Sequence, residues 1–163
     1  MILDQRLGAQ LAMEHLVGLG HRNIAVMIGN PDSADAAQRW CGISEVAREL
    51  GVPIRSDLTV QLAGEESGPA LGYPYAKMLL ERRLPFTALF AYNDASAIGA
   101  IRAIREAGLR VPEDISVVGF DDIQAAMFHS PSLTTVRQPL HRMGEIAAKV
   151  LLDRLEGDRK SVV

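Results

Sequence analysis

Cysteine, aromatic residues and long apolar runs are all scarce in this sequence. The single cysteine excludes a disulfide within the chain and fits a reducing compartment, so we expect a cytoplasmic protein. Aromatic residues make up only 5% of the 163 residues, so the core must be built mainly from aliphatic side chains. No apolar run approaches the roughly 20 residues needed to span a bilayer, and the first residues lack the features of a secretory signal. We therefore expect no membrane contact.

An excess of positive charge is also absent. The chain has 17 basic and 20 acidic residues, for a net charge of -3. A surface that binds nucleic acid through its phosphates needs an excess of Lys and Arg. We expect that any binding to DNA uses a domain outside this chain.

Four apolar segments recur about thirty residues apart and are predicted to be strands. They are Ile24–Gly29, Leu58–Ala63, Ala88–Tyr92 and Ile115–Phe120. All but the second are nearly continuous, as strands covered on both faces require. The second alternates more and is placed nearer an edge. The segments between the strands have helical periodicity, which predicts an α/β fold: an open parallel sheet with helices on both faces.

Helix ends are marked by glycine and proline. Gly20, Gly51 and Gly108 each follow a periodic segment and can adopt the left-handed conformation that ends a helix. Because proline is tolerated only in a first turn, Pro69 and Pro74 predict a helix that begins near Tyr73. Asp94 is predicted to cap the next helix.

Polar side chains cluster where the predicted strands end. Open α/β sheets bind ligands outside the carboxyl ends of their strands. Asn93–Asp94 and Asp121–Asp122 fall there, and Arg39, in the helix after the first strand, can reach the same edge. Their amide, carboxylate and guanidinium groups can form paired hydrogen bonds with sugar hydroxyls or a purine edge. The alternative is structural: Asp94 and Asp122 cap helices and Arg39 pairs with a carboxylate.

Catalysis and metal binding receive little support. Asp121 and Asp122 could chelate a cation, but adjacent residues on a strand end point to opposite sides. No nucleophile elbow, phosphate loop or metal-ligand histidine pattern is present. Cys41 is predicted to be a small buried residue, Trp40 to pack on the core, and His21 to be a solvent-exposed or capping residue. We expect no cofactor and no enzymatic activity.

Several segments in order resemble the effector-binding domain of the lactose-, galactose- and purine-repressor family. The clearest are Ala91–Ala100, Gly108–Asp122 and Pro131–Pro139, and further matches are Asp4–Gly8, Gly18–Ala25, Arg39–Gly42 and Met143–Gly144. The resemblance implies a lobe of periplasmic-binding-protein type, with a second lobe and a helix-turn-helix domain ahead of residue 1. On this reading the chain is a fragment: 1–139 form the C-terminal effector-binding lobe, and 140–163 form a helix that packs on the missing first lobe.

The resemblance also implies roles for individual residues. Arg39, Asn93 and Asp121 occupy positions that hydrogen-bond the effector. The aromatic residue that the family often places after the second strand is missing, and Ser67 takes its approximate place. The effector is expected to be a sugar or a purine-like molecule.

Two surfaces are expected to form contacts. The family pairs as dimers, and the candidates on this lobe are Ile98, Arg102, Met127 and Phe128. Met127 and Phe128 fall in a predicted loop, with no helix or strand to bury them. The last helix, Leu140–Glu156, has an apolar stripe and is predicted to fold back on this lobe or to pair with another copy.

Three functions are compared. The leading hypothesis is the effector-sensing lobe of a bacterial transcription repressor. The alternative is a fragment of a periplasmic sugar-binding protein of the same fold, which the Gly108–Pro112 and Leu133–Pro139 segments disfavour. A flavodoxin-like enzyme or receiver domain would use Asp121 and Asp122, but a receiver needs acidic residues after the first strand, and Gly29–Pro31 has none.

Overall fold

The computed structural model describes residues 4–63 and 69–155. The elements are α1 (Gln5–Gly18), β1 (Ile24–Ile28), α2 (Ala34–Glu49), a 3-10 turn (Ser56–Leu58), β2 (Thr59–Gln61), α3 (Pro69–Glu81), β3 (Ala88–Phe90), α4 (Asp94–Glu106), β4 (Ser116–Asp121), α5 (Gln124–Phe128), β5 (Thr134–Arg137) and α6 (Leu140–Leu155). All strand pairs are parallel, in the order β2-β1-β3-β4-β5. The predicted α/β class is confirmed, and so is the position of β2 at an edge.

Two hydrophobic cores lie on opposite faces of the sheet. Val26, Phe90 and Phe120 pack with α1 and α2 on one face. Met27, Leu89 and Val117 pack with α3 and α4 on the other. The central strands are therefore buried on both faces, which explains their continuous apolar sequences.

Glycine ends three helices as predicted. Gly20, Gly51 and Gly108 have φ angles of +94°, +67° and +80°. Each lies two residues after the last residue of its helix, α1, α2 or α4. Glycine adopts this conformation at little cost because it has no Cβ atom.

The predicted start of α3 was wrong. The helix begins at Pro69 and continues through Pro74. Pro74 cannot donate a backbone hydrogen bond, but close packing on α4 holds the helix in place. At Gly72 the approach is so close that an added Cβ atom would lie 1.9 Å from the carbonyl oxygen of Ser96.

Two short elements were missed. No residue of β5 is buried, so it has no apolar run to reveal it. The segment predicted as a loop contains α5, only five residues long. Met127 and Phe128 lie on α5 but remain 67% and 75% exposed, so this helix does not bury them.

The prediction that the last helix folds back on this lobe was wrong. No residue of α6 is buried, and its leucines at positions 140, 151, 152 and 155 are exposed. Both faces of the sheet are already covered by the other helices. Pairing with another copy is not tested by a single chain. In the part of the chain that the structure describes, no helix is both long and apolar enough to cross a membrane.

Candidate functional site

The candidate site lies at the carboxyl edge of the sheet. Because all strands are parallel, β1, β3 and β4 end at this edge as neighbours. The N-terminal part of α2 and the start of α4 follow β1 and β3 in the chain. Arg39, Asn93 and Asp121, three of the four predicted ligand-binding residues, are brought together here; the fourth, Ser67, lies outside the described residues.

Arg39 is buried although it carries a charge. Arg39 projects from the second turn of α2 and is only 4% exposed to solvent. Its Nε donates to Oε1 of Gln5 at 3.0 Å, and its Nη1 donates to the carbonyl oxygen of Tyr92. The guanidinium carbon lies 3.6 Å from the centroid of the Phe120 ring and 4.7 Å from that of the Tyr92 ring. Cation–π contacts thus hold the side chain between the ends of β3 and β4.

Arg39 and Asp121 face each other without forming an ion pair. Among the described residues, Arg39 has no carboxylate oxygen within 4.0 Å, so the predicted structural pairing with a carboxylate is wrong. Burial lowers the pKa of Arg39, and the charge of Asp121 is the strongest opposing influence. Burial likewise raises the pKa of Asp121, against the charge of Arg39. The two charges are close enough to interact but are not neutralised by contact.

The backbone is strained at the end of β4. Asp121 and Asp122 have φ angles of +118° and +59°, a conformation that residues with side chains rarely adopt. Each such residue costs about 1–3 kcal/mol, and such strain is concentrated at functional sites. The Asp121 carboxylate accepts a hydrogen bond from Nε2 of Gln138, and the Asp122 carboxylate accepts one from Arg137.

Two sequence predictions concern Asp121 and Asp122. The carboxylates of Asp121 and Asp122 have different partners, and neither hydrogen bond tests the prediction that the two side chains point to opposite sides. The alternative that Asp122 caps a helix is wrong, since Ile123 precedes α5 and makes no side-chain cap. Within residues 4–63 and 69–155, no group of three or more His, Cys, Asp or Glu side chains could hold a metal ion.

Asn93, not Asp94, caps α4. Its Oδ1 accepts from the backbone nitrogen of Ser96 at 2.8 Å, and the Ser96 hydroxyl accepts from the Asn93 backbone in return. The acceptor of Asn93 is thus used by the helix. Its Nδ2 has no hydrogen-bond partner in the described chain, so it is the group that Asn93 can offer to a ligand.

Asp94 is a buried anchor behind the site. Its carboxylate accepts from the backbone nitrogen of Ile123 at 2.8 Å and from the hydroxyl of Thr135. Gly119 makes room for it, because a Cβ atom there would lie 2.3 Å from Asp94 Oδ1. Burial raises the pKa of Asp94. The predicted capping role of Asp94 was wrong, because Asn93 is the residue that accepts a hydrogen bond from the first turn of α4.

The remaining predictions have mixed outcomes. Ser67 lies outside the described residues. Trp40 packs against the core as predicted. Cys41 is exposed and donates to Glu45, so its predicted burial was wrong. His21 is not free in solvent: its ring nitrogens lie 2.9 Å from the Thr87 hydroxyl and 3.1 Å from the Ser116 hydroxyl. Its backbone nitrogen donates to the Leu16 carbonyl oxygen at the end of α1, so the predicted capping role is confirmed.

Four residues of the site were missed by sequence reasoning. Tyr92 and Phe120 directly precede Asn93 and Asp121, so their position next to predicted ligands was a usable signal. Gln5 and Gln138 gave none. They reach the site from α1 and from the end of β5, and only the packing of these elements brings them there.

Two of the four proposed dimer residues, Ile98 and Arg102, line a surface hollow together with His129. Met127 and Phe128, at the end of α5, are exposed. Ile98 is half-buried and packs against the core, whereas the Arg102 side chain is 74% exposed and pairs with Glu106.

Comparison with known proteins is consistent with this geometry. The periplasmic binding protein-like domain family matches residues 13–162. The chain is 39% identical over 148 residues to the HTH-type transcriptional repressor PurR of Haemophilus influenzae (strain PittEE), covering 91% of this chain and 43% of that protein. The chain thus spans less than half the length of this curated relative.

Two solved structures are similar in fold. The transcriptional repressor AscG of Escherichia coli is 35% identical with a TM-score of 0.83, over 94% of this chain and 55% of that one. The transcriptional regulator CelR in complex with cellobiose is 32% identical with a TM-score of 0.89, over 99% of this chain and 48% of that one.

Proposed function

Because the chain belongs to the periplasmic binding protein-like domain family, in the form found in regulators of the lactose-repressor family, we propose that it is the effector-sensing lobe of a transcription repressor. The effector is a small polar molecule, a sugar or a purine-like base. It binds at the edge formed by Arg39, Asn93 and Asp121. The observation that carries this proposal is the buried guanidinium of Arg39, which stacks on Phe120, the residue before Asp121, without pairing with the Asp121 carboxylate.

The proposed mechanism is binding without chemical change. A second lobe, encoded ahead of residue 1, completes the cleft, and the effector binds one arrangement of the lobes better than the other. That preference shifts the equilibrium between arrangements and so alters the affinity of a helix-turn-helix domain for DNA. The proteins that this chain resembles are repressors. We also propose that the protein acts in the cytoplasm, because a bacterial repressor must bind chromosomal DNA there.

Ligand binding is tested on the full gene product by a thermal-shift screen of sugars and nucleobases. Cellobiose, the ligand of the similar regulator CelR, is the first probe. For a compound that raises the Tm, we expect Arg39→Gln and Asp121→Asn each to weaken binding by at least tenfold, since each removes charge-assisted hydrogen bonds. Glu81→Gln, at the exposed end of α3, is the control. Unchanged affinity in both site variants would contradict the proposed site.

The DNA-binding part has a separate test. We expect the coding sequence ahead of residue 1 to encode a helix-turn-helix domain, followed by the first lobe. A secretory signal in that position would instead support the periplasmic sugar-binding protein.

We also propose that the lobe pairs with a second copy through α4 and α5. Met127 and Phe128 are large exposed apolar side chains on α5, which contacts α4, the helix that carries Ile98 and Arg102. Burial of such a patch favours association. Light scattering of the full gene product is expected to show a dimer, and Phe128→Asp to convert it to a monomer. Leu19→Asp, at another exposed apolar residue just after α1, is the control. A dimer unaffected by Phe128→Asp would exclude this surface.

For α6 we propose a partner in the other lobe. Its exposed leucines leave an apolar stripe without cover in this chain. Hydrogen exchange of 140–155 is expected to be fast in the 163-residue chain and slow in the full gene product. Equal exchange in the two would show that the other lobe does not cover this helix.

A further inference from the structure

Two glutamines hold the two facing charges of the site. Gln5, the first residue of α1, accepts from Arg39 Nε at 3.0 Å, and Gln138, just after β5, donates to Asp121 Oδ1 at 2.5 Å. We propose that Gln5 and Gln138 are positioning residues that prevent Arg39 and Asp121 from pairing with each other and so keep both available for a neutral polar ligand. This inference rests on the proposed effector site.

Without such partners, the two charges should pair. Opposite charges attract strongly where water is excluded, and arginine and carboxylate form a bidentate pair when they meet. Yet no oxygen of Asp121 lies within 4.0 Å of the Arg39 nitrogens. A neutral amide on each side satisfies part of the hydrogen-bonding capacity of each group. It leaves their charges intact.

A purely stabilising role does not explain these glutamines. Gln5 is only 3% exposed, and its Nε2 is buried without a hydrogen-bond partner in the described chain. The Oε1 of Gln138 is buried and unpartnered in the same way. A buried polar atom without a partner costs free energy, and an apolar side chain would avoid that cost. The hydrogen bonds of the two amides with Arg39 and Asp121 are the interactions that offset this cost.

The arrangement selects for a neutral ligand. Arg39 offers a donor and Asp121 an acceptor, which matches two adjacent hydroxyl groups or the edge of an amide. A ligand anion would meet the carboxylate of Asp121, which Gln138 holds in place. A cation would meet Arg39. We therefore infer an uncharged polar effector and not a phosphorylated one.

The test is a titration of the Asp121 carboxyl carbon by NMR in the 163-residue chain, without ligand. The charged groups that act on Asp121 are Arg39 and Asp35 of α2 and Asp94 of α4. Gln5→Met keeps the size of the side chain but removes the acceptor for Arg39. We expect Arg39 to turn to Asp121 and the pKa of Asp121 to fall by about 1 or more.

A second variant reverses the sign. Gln5→Glu gives Arg39 a charged partner and adds a negative charge to the site, so the pKa of Asp121 should rise. Gln10→Met, on the same helix but outside the site, should leave it unchanged. If both Gln5 variants fold and the pKa of Asp121 does not move, the positioning role is wrong.

Ligand charge is tested separately, on the full gene product. Glucose and glucose 6-phosphate form one matched pair, and cellobiose and its phosphate form another. A preference for the phosphorylated member of either pair would overturn the inferred neutral ligand. Because the titration needs no ligand, it can disprove the positioning role while the proposed sensor function stands. A failure of the sensor function in the ligand screen would likewise leave the titration result unchanged.

Discussion

The guanidinium of Arg39 stacks on the ring of Phe120, 3.6 Å from its centroid. Phe120 directly precedes Asp121 in the chain. A shift of the Phe120 backbone would therefore move the Asp121 carboxylate as well as the ring on which Arg39 stacks. Phe120 is also part of the buried core beneath α1 and α2. The position of Arg39 thus depends on the packing of the sheet, and Phe120 connects the site to this core.

Replacement of this ring should separate binding from stability. We expect Phe120→Leu to cost about 1 kcal/mol of stability, because the change nearly conserves volume. Loss of the cation–π contact should weaken effector binding by about 1–2 kcal/mol, or roughly 5- to 30-fold. Phe90→Leu is the matched control, since Phe90 is fully buried in the same core. Calorimetric titration should show little loss of affinity in the control; equal losses would argue against the stacking role.

Asp94→Asn should destabilise the edge of the sheet. The carboxylate accepts from Ile123 and Thr135. An amide of the same shape has one acceptor only, so the Thr135 hydroxyl must turn from donor to acceptor, and both hydrogen bonds lose the contribution of the carboxylate charge. We expect a loss of about 1–3 kcal/mol in urea unfolding. Asp122→Asn tests a neighbouring carboxylate whose partner, Arg137, is mostly exposed, and should cost at most about 1 kcal/mol. Similar costs at the two positions would show that Asp94 is not an anchor.

The α3–α4 contact should not accept a methyl group. An added Cβ atom at Gly72 would lie 1.9 Å from the Ser96 carbonyl oxygen, and backbone cannot move aside cheaply. Gly72→Ala is expected to cost about 2–3 kcal/mol or more. Gly18→Ala is the opposite case: nothing lies within 4 Å, and alanine should stabilise α1 by up to about 1 kcal/mol. Thermal unfolding of both variants checks the difference, and a tolerated Gly72→Ala would mean that the helices pack less closely.

His21 should make the fold sensitive to mild acid. Burial, followed by the charge of His15, lowers the pKa of His21 below the ordinary value of 6.5. The unfolded chain therefore binds the proton more readily, so the free energy of unfolding should fall as the pH drops below about 6.5. Above that pH the ring is neutral in both states and the effect disappears.

Urea unfolding at pH 7.5 and 5.5 measures this effect. The loss of stability should be smaller in His21→Gln than in the wild type, and His141→Gln, on exposed α6, should behave like the wild type. Parallel losses in wild type and His21→Gln would assign the acid sensitivity to other groups.

Most of the architecture could be predicted because its signals are local. Continuous apolar runs identify β1, β3 and β4, and glycine marks the ends of three helices. The missed elements lack such signals: β5 has no buried residue, and α5 has only five residues. Pro74 misled the prediction of α3 because the cost of one lost hydrogen bond is offset by packing on α4.

Three features could be read from the residue pattern: the α/β class, the edge position of β2, and the edge at which Arg39, Asn93 and Asp121 meet. These follow from periodicity and from the rule that parallel strands end together. Only the tertiary structure decided how the groups are used: Asn93 caps α4, Asp94 is buried behind it, and two distant glutamines hold Arg39 and Asp121 apart. Side-chain partners depend on distances between elements far apart in the chain, and no local pattern encodes those distances.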